Sequence, residues 1–103
     1  MKEFIKGQKV WIYTYEDGLS RAIFDRYFDN NYAYVSYPNH SKTNMKLIEK
    51  AQIHASEKLA VDYATAINYK RGWLKIEFEK NPDSKQYQQQ KKDSIESFPE
   101  MWS

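Results

Sequence analysis

The sequence predicts an α+β protein in which residues 1–55 form a five-stranded antiparallel barrel and residues 56–103 add one or two helices, packed on the barrel within a single folding unit. Three observations carry this reading. Apolar and polar residues alternate with a period near two through the first half, turn-forming residues recur there at short intervals, and after His54 the period lengthens to near 3.6. An open sheet of five short strands cannot hide both of its faces. Closing it on itself buries one of them with its own side chains.

Each element follows from its residues. Lys9–Tyr15 (KVWIYTY) alternates Val10, Ile12 and Thr14 with Trp11, Tyr13 and Tyr15, which on a strand places aliphatics on one face and rings on the other. Glu16-Asp17-Gly18 then supplies an Asp-Gly pair suited to a tight hairpin. The second strand runs from about Ser20 to Tyr27. Asp29-Asn30-Asn31 is the next turn, built from residues that tolerate positive φ. Tyr32–Tyr37 (YAYVSY) sets Ala33, Val35 and Tyr37 against Tyr32, Tyr34 and Ser36, and Pro38-Asn39-His40-Ser41 breaks it. A short strand at Asn44–Leu47, a turn near Glu49-Lys50 and a last strand at Gln52–His54 complete five.

The helical half begins with Ser56 as N-cap. Leu59, Ala60, Tyr63, Ala64 and Ile67 form an apolar stripe, Lys70 and Arg71 suit the C-terminal dipole, and Gly72 stops the helix. Trp73–Glu79 (WLKIEFE) fits either state, and the alternation of Leu74, Ile76 and Phe78 leans it towards a strand. Asn81-Pro82-Asp83-Ser84 opens a second helix at Lys85–Ser97, polar except for Tyr87, Ile95 and the stem of Lys91. The tail Phe98-Pro99-Glu100-Met101-Trp102 is apolar again, suited either to anchoring another protein or to docking back on its own chain to close the barrel, and self-docking is the expectation.

Composition narrows the function classes. With 103 residues, 41% apolar and 17% aromatic, the chain can bury one modest core. A mean hydropathy of −0.92 and the lack of any long apolar run argue against a membrane span, and Met1–Lys6 is too broken by charge to serve as a secretory signal. A cytoplasmic location is the expectation. Without cysteine there is no disulfide, thiolate or cysteine-based zinc site, and His40 and His54 lack metal-site spacing. Neither nucleophile elbow nor phosphate-cradling glycine loop occurs, so no catalytic, cofactor-binding or metal residues are assigned.

Residues 7–40 resemble a known family. Gly7-Gln8-Lys9-Val10-Trp11-Ile12-Tyr13, then Glu16-Asp17-Gly18, Arg21-Ala22-Ile23 and Tyr34-Val35-Ser36-Tyr37 look like the first three strands of Tudor domains and their SH3-like and KOW-type relatives. The resemblance spans about a third of the chain and its motifs are structural, so it bears on fold more than on function. It implies a small barrel that binds protein or nucleic acid through one face and its loops. The aromatic cage by which some Tudor domains read methylated cations does not carry over. Its four positions fall at Thr14, near Ser20, at Tyr37 and at His40, leaving one strong wall.

Trp11, Tyr13, Tyr15, Tyr27, Tyr32 and Tyr34 are read as an aromatic set, several of its rings on the face opposite the aliphatics. The candidate binding residues are Trp11, Tyr13, Tyr15, Tyr32 and Tyr34 from it, with Tyr37, His40, Arg21, Arg26 and Lys42. The stripe on the first helix is expected to cover part of that face as a second core. Basic residues Lys9, Arg21, Arg26, Lys42, Lys46 and Lys50 interleave with Glu16, Asp17, Asp25 and Asp29, giving a mixed surface. Residues 1–50 hold eight basic against six acidic side chains, and residues 51–103 hold eight against eight. The leading reading is a protein-binding adaptor or inhibitor that docks on a larger protein, in the style of small accessory proteins of phages or mobile elements. The alternative is a KOW- or Tudor-like module that binds DNA or RNA with its lysines, arginines and tyrosines. A homodimer would suit the polar second helix and the apolar tail.

Overall fold

The computed structural model describes residues 3–37 and 45–102. Its elements run β1 (Lys9–Thr14), β2 (Gly18–Tyr27), β3 (Tyr32–Ser36), β4 (Met45–Glu49), a 3-10 turn at Lys50–Gln52, β5 (Ile53–His54), α1 (Glu57–Lys70), α2 (Trp73–Lys80), α3 (Lys85–Ser97) and a 3-10 turn at Pro99–Met101. Contacts gather them into two compact units, residues 1–60 and 61–103, so the division falls inside α1. The expected break at Pro38–Ser41 and the start of the fourth strand at Asn44 lie outside the described residues.

In the first unit the strands form one antiparallel sheet in the order β4-β3-β2-β1-β5. No ladder joins β4 to β5 among the described residues, so the hydrogen bonding is that of an open sheet and not of the closed barrel expected from strand number. The hairpin between β1 and β2 pairs Thr14 with Gly18, and Gly18 takes the left-handed conformation at φ 68° that a side chain would resist. The Thr14 hydroxyl accepts from the Asp17 amide at 3.1 Å, which fixes the turn. The turn before β3 works differently from the sequence expectation. No described non-glycine residue has a positive φ; instead one Asp29 carboxylate oxygen accepts from the amides of Asn31 and Tyr32, both at 2.8 Å.

The core draws on one face of all five strands. Val10, Ile12, Ala22, Phe24, Ala33, Val35, Ile48 and Ile53 are buried together, with Phe4, Tyr27 and Tyr37 packed against them. Tyr27, one of the aromatic set read from the sequence, packs on Phe24 with the rings tilted and their centroids 4.8 Å apart, and its hydroxyl accepts from the Phe4 amide at 2.8 Å. That places Tyr27 on the core side.

The second unit departs from sequence expectation in three places. Trp73–Lys80 is helical, not extended. Leu74 and Phe78 satisfy a helical i,i+4 spacing as well as strand alternation, and a helix closes its own backbone hydrogen bonds without needing a sheet edge. Phe78 is held between Tyr69 and Tyr87, with centroid distances of 5.8 and 5.2 Å. On α3 the buried residue is Ser94, not Ile95, which is 38% exposed. On α1 the buried positions beyond Ala60 are Asp62, Thr65 and Ala66, whereas Leu59 is 37% exposed and Tyr63, Ala64 and Ile67 are half-buried.

Polar contacts join α1 to α3. The Ser94 hydroxyl donates to the Asp62 carbonyl at 2.7 Å, the Ser97 hydroxyl to the Asp62 carboxylate at 2.7 Å, and the Gln90 amide to the Thr65 hydroxyl at 2.9 Å. The tail docks back on its own chain, and the contacts shown are to the helices. Trp102 lies 4.4 Å from the Tyr69 ring and donates from Nε1 to the Ser94 hydroxyl at 3.0 Å, while Phe98 meets Tyr63 edge-on at 5.7 Å. The cap read from the sequence at Ser56 is made, and Ser84 caps the last helix in the same way. The Ser56 hydroxyl accepts from the Leu59 amide at 3.2 Å and the Ser84 hydroxyl from the Tyr87 amide at 3.3 Å.

Candidate functional site

Directly opposed residues on neighbouring strands share a face, so the register shows what the sheet presents on the side away from its core. Trp11 stands opposite Arg21 on β2 and His54 on β5. Lys9, Ile23, Ser36 and Met45 form the next row across the sheet, and Arg26, Tyr34 and Leu47 a further one. Tyr13 faces Leu19, and Tyr32 faces Glu49.

One irregularity decides the character of this surface. Strict alternation along β2 would send Arg21 and Arg26 to opposite faces. The register shifts between Phe24 and Arg26, so Asp25 is an extra residue, and Arg26 pairs with Tyr34 on the outer face. Both arginines consequently lie on the same side. Each is backed by a ring from the adjacent strand: the Arg21 guanidinium carbon is 4.9 Å from the Trp11 centroid, and that of Arg26 is 4.6 Å from the Tyr34 centroid. Phe28 meets Tyr34 edge-on at 5.6 Å. The bulge residue completes the second pair, because the Asp25 carboxylate bonds Arg26 and also has Lys6 at 4.0 Å.

Six of the sequence candidates are thus brought together on one face: Trp11, Tyr13, Arg21, Arg26, Tyr32 and Tyr34. Tyr15 sits in the hairpin turn and is 64% exposed. Tyr37 belongs to the core side, where burial raises the pKa of its phenol and keeps it protonated, an effect that nearby Lys46 partly offsets. His40 and Lys42 lie outside the described residues. Two of the positions that the cage comparison picked out have other work or other neighbours: Thr14 holds the hairpin turn, and Ser20 is paired with core residue Ile12.

Sequence reasoning missed Leu19, Phe28, Met45 and Leu47, all large apolar residues at least 39% exposed. Alternation from Ile48 could have placed Met45 and Leu47 only with the β3 to β4 register in hand. Nothing in the local pattern marked Phe28. His54 adds no charge to the face at neutral pH, since burial lowers its pKa to about 4.

The cations are unevenly committed. Lys46 donates to Asp17 at 3.0 Å, a hydrogen bond that raises its pKa, and Arg26 and Lys6 share Asp25. Lys50 sits over the Tyr27 ring at 4.9 Å. Among the described residues no carboxylate lies within ion-pair distance of Arg21. No group of three or more His, Cys, Asp or Glu side chains that could hold a metal ion occurs among them, and no helix is long and apolar enough to cross a membrane. The outer face therefore offers π surfaces, guanidinium groups and aliphatic side chains. Those are groups that bind.

The chain matches no protein-family model, no curated protein and no solved structure. What it does has to be read from the face itself.

Proposed function

We propose that the chain is a non-catalytic protein-docking module, an adaptor or inhibitor, which meets a larger partner through the outer face of β1 to β4. The observation that carries this reading is the make-up of that face. Trp11, Tyr13, Tyr34, Phe28, Met45, Arg21 and Arg26 are residue types in which protein interfaces are enriched; the register sets all but Phe28 on one side of a sheet whose other side is core, and Phe28 meets the Tyr34 ring edge-on. Rings of this kind lose little conformational entropy on binding. Two of them already hold a guanidinium against them.

The finer fold that goes with this reading is an SH3- or Tudor-like coil of the sheet. Its support is the strand order, the bulge that lets the ten-residue β2 bend, the 3-10 turn between β4 and β5, and a core made from one face of all five strands. A sheet that buries one face against itself must curl, whether or not a ladder joins its edges. A cytoplasmic site of action suits a chain without cysteine.

Capture from host extract tests the proposal. Wild-type chain is expected to retain a specific protein that the double variant Trp11→Ala, Tyr34→Ala loses, with both proteins folded by near-ultraviolet circular dichroism. Equal retention by the two would remove the outer face as the site. Nucleic acid is the second reading, favoured by Arg21 and Lys9 beside rings and weakened by the intramolecular ion pairs of Arg26, Lys6 and Lys46. Its mark would be oligonucleotide binding that collapses with added salt.

A further inference from the structure

Two ring-backed arginines stand on the same face, and they differ in one respect. Arg26 lies over Tyr34 with the Asp25 carboxylate bonded to it, a carboxylate supplied by the bulge in the same strand. Arg21 lies over Trp11, is exposed, and has no carboxylate of the described chain within reach. A guanidinium backed by an indole on one side leaves N–H groups for a carboxylate, whose two oxygens they match. The ring also fixes the side chain beforehand, so less rotamer freedom is lost on binding. Around Arg21 the face is apolar or basic: Leu19 and Ile23 flank it along the outer side of β2, Tyr13 and Lys9 flank Trp11 along β1, and His54, opposite Trp11, is neutral.

We infer that the Trp11–Arg21 pair is the recognition point for an acidic, apolar-flanked segment of the partner protein, one Asp or Glu carboxylate of which bonds Arg21 as Asp25 bonds Arg26. The inference rests on the docking face proposed above and names the chemistry of what docks there. Complementarity runs through the whole row. The carboxylate meets Arg21, Lys9 adds a second positive charge, and aliphatic or aromatic neighbours of the acidic residue meet Leu19, Tyr13 and Ile23.

The test uses the full chain and a labelled twelve-residue peptide alternating Glu with Leu, beside the same peptide with Gln for Glu and a single-stranded oligonucleotide of equal charge. Fluorescence anisotropy at physiological salt is expected to show binding of the Glu peptide and weaker binding of the Gln peptide. An indole N–H resonance that vanishes in Trp11→Phe should shift on titration with the Glu peptide. Arg21→Gln should weaken the Glu peptide by about tenfold or more, the loss of a charge-assisted hydrogen bond. Arg21→Lys should recover only part of it, because the ammonium keeps the charge and loses the planar fork of donors. Lys75→Gln on α2, with the same change in net charge, should leave binding as it is. Equal binding of Glu and Gln peptides, equal effects of Arg21→Gln and Lys75→Gln, or binding of the oligonucleotide alone would each overturn the inference. Failure here with ring-dependent capture from extract intact would leave the docking face standing and refute only the partner's chemistry, whereas loss of both would remove the face as well.

Discussion

Eight buried apolar side chains hold the sheet together, and six of them come from β1, β2 and β3, where burial alternates. In residues 61–102 the buried positions are Asp62, Thr65, Ala66 and Ser94, while the larger side chains Tyr63, Ile67, Tyr69, Phe78 and Trp102 stay half-exposed around them. The strands exclude water with methyl groups and a phenyl ring. The helices approach through small residues and hydrogen bonds, with rings closing the margins. The contrast teaches that a polar helix need not be solvated or waiting for a partner: α3, all but free of apolar residues, is fastened by Gln90, Ser94 and Ser97. The strength of such a junction lies in satisfied donors and acceptors and not in area, so its failure should look different from that of the sheet.

The sheet should break hardest. Ile12 is fully buried, and Ile12→Ala is expected to cost roughly 3–4 kcal/mol in urea denaturation, the sum of lost transfer energy and a cavity walled by four other strands. A loss under about 1 kcal/mol would mean that the core is loosely packed.

Acid comes next, through the buried polar residue of the strands. His54 has its pKa lowered by burial from 6.5 to about 4, so between those values the unfolded chain binds a proton that the folded chain excludes. Stability therefore falls as the pH drops through that window, by on the order of 2 kcal/mol once solvent screening is allowed for. Subtracting the stability profile of His54→Gln from that of the wild type isolates this share from the carboxylates. Parallel profiles would show that His54 is not held neutral by its surroundings.

The helical junction should yield about 1–2 kcal/mol. Ser94→Ala removes the donor to the Asp62 carbonyl and leaves the Trp102 indole N–H without its acceptor. Tryptophan fluorescence of Trp102 should shift with it, read against the other two tryptophans by substituting each with Phe. No change in stability would put the weight of the junction on the rings instead.

Gly18→Ala sharpens the description of the first hairpin. Nothing lies within 4 Å of a Cβ added there, so the expected loss of about 1 kcal/mol is conformational and not steric. Gly18→Asn should lose less, as Asn visits that region more readily. The smallest effect belongs to Ile95→Ala. At 38% exposure it should change stability by less than about 0.5 kcal/mol, although the sequence marks Ile95 as one of the few apolar anchors of its helix.

Local features are legible in the sequence. Alternation sets Val10, Ile12, Ala33 and Val35 inside and Trp11, Tyr13, Tyr32 and Tyr34 outside, and the helix cap at Ser56 is visible as a residue type ahead of an apolar stripe. These features are settled by contacts a few residues apart, so a single sequence contains them. Other features were not. Arg26 crosses to the outer face through an extra residue that shows only when β2 is laid against β3, and Met45 and Leu47 join that face through the register of β4. Residues 73–80 fit two periods at once, and Ser94 rather than Ile95 is buried because Asp62 stands within hydrogen-bonding distance across the helix pair.

The sequence by itself determined which segments are strands and which are helices in all but one case, and which side chains a strand sets on opposite faces. Only the tertiary structure decided which residues from different segments share a surface, and so set Arg21 and Arg26 on the same face. The physical reason is range: φ/ψ preferences, caps and alternation act over one to four residues, whereas register, bulges and cross-helix hydrogen bonds are energies between segments that the chain brings together only by folding.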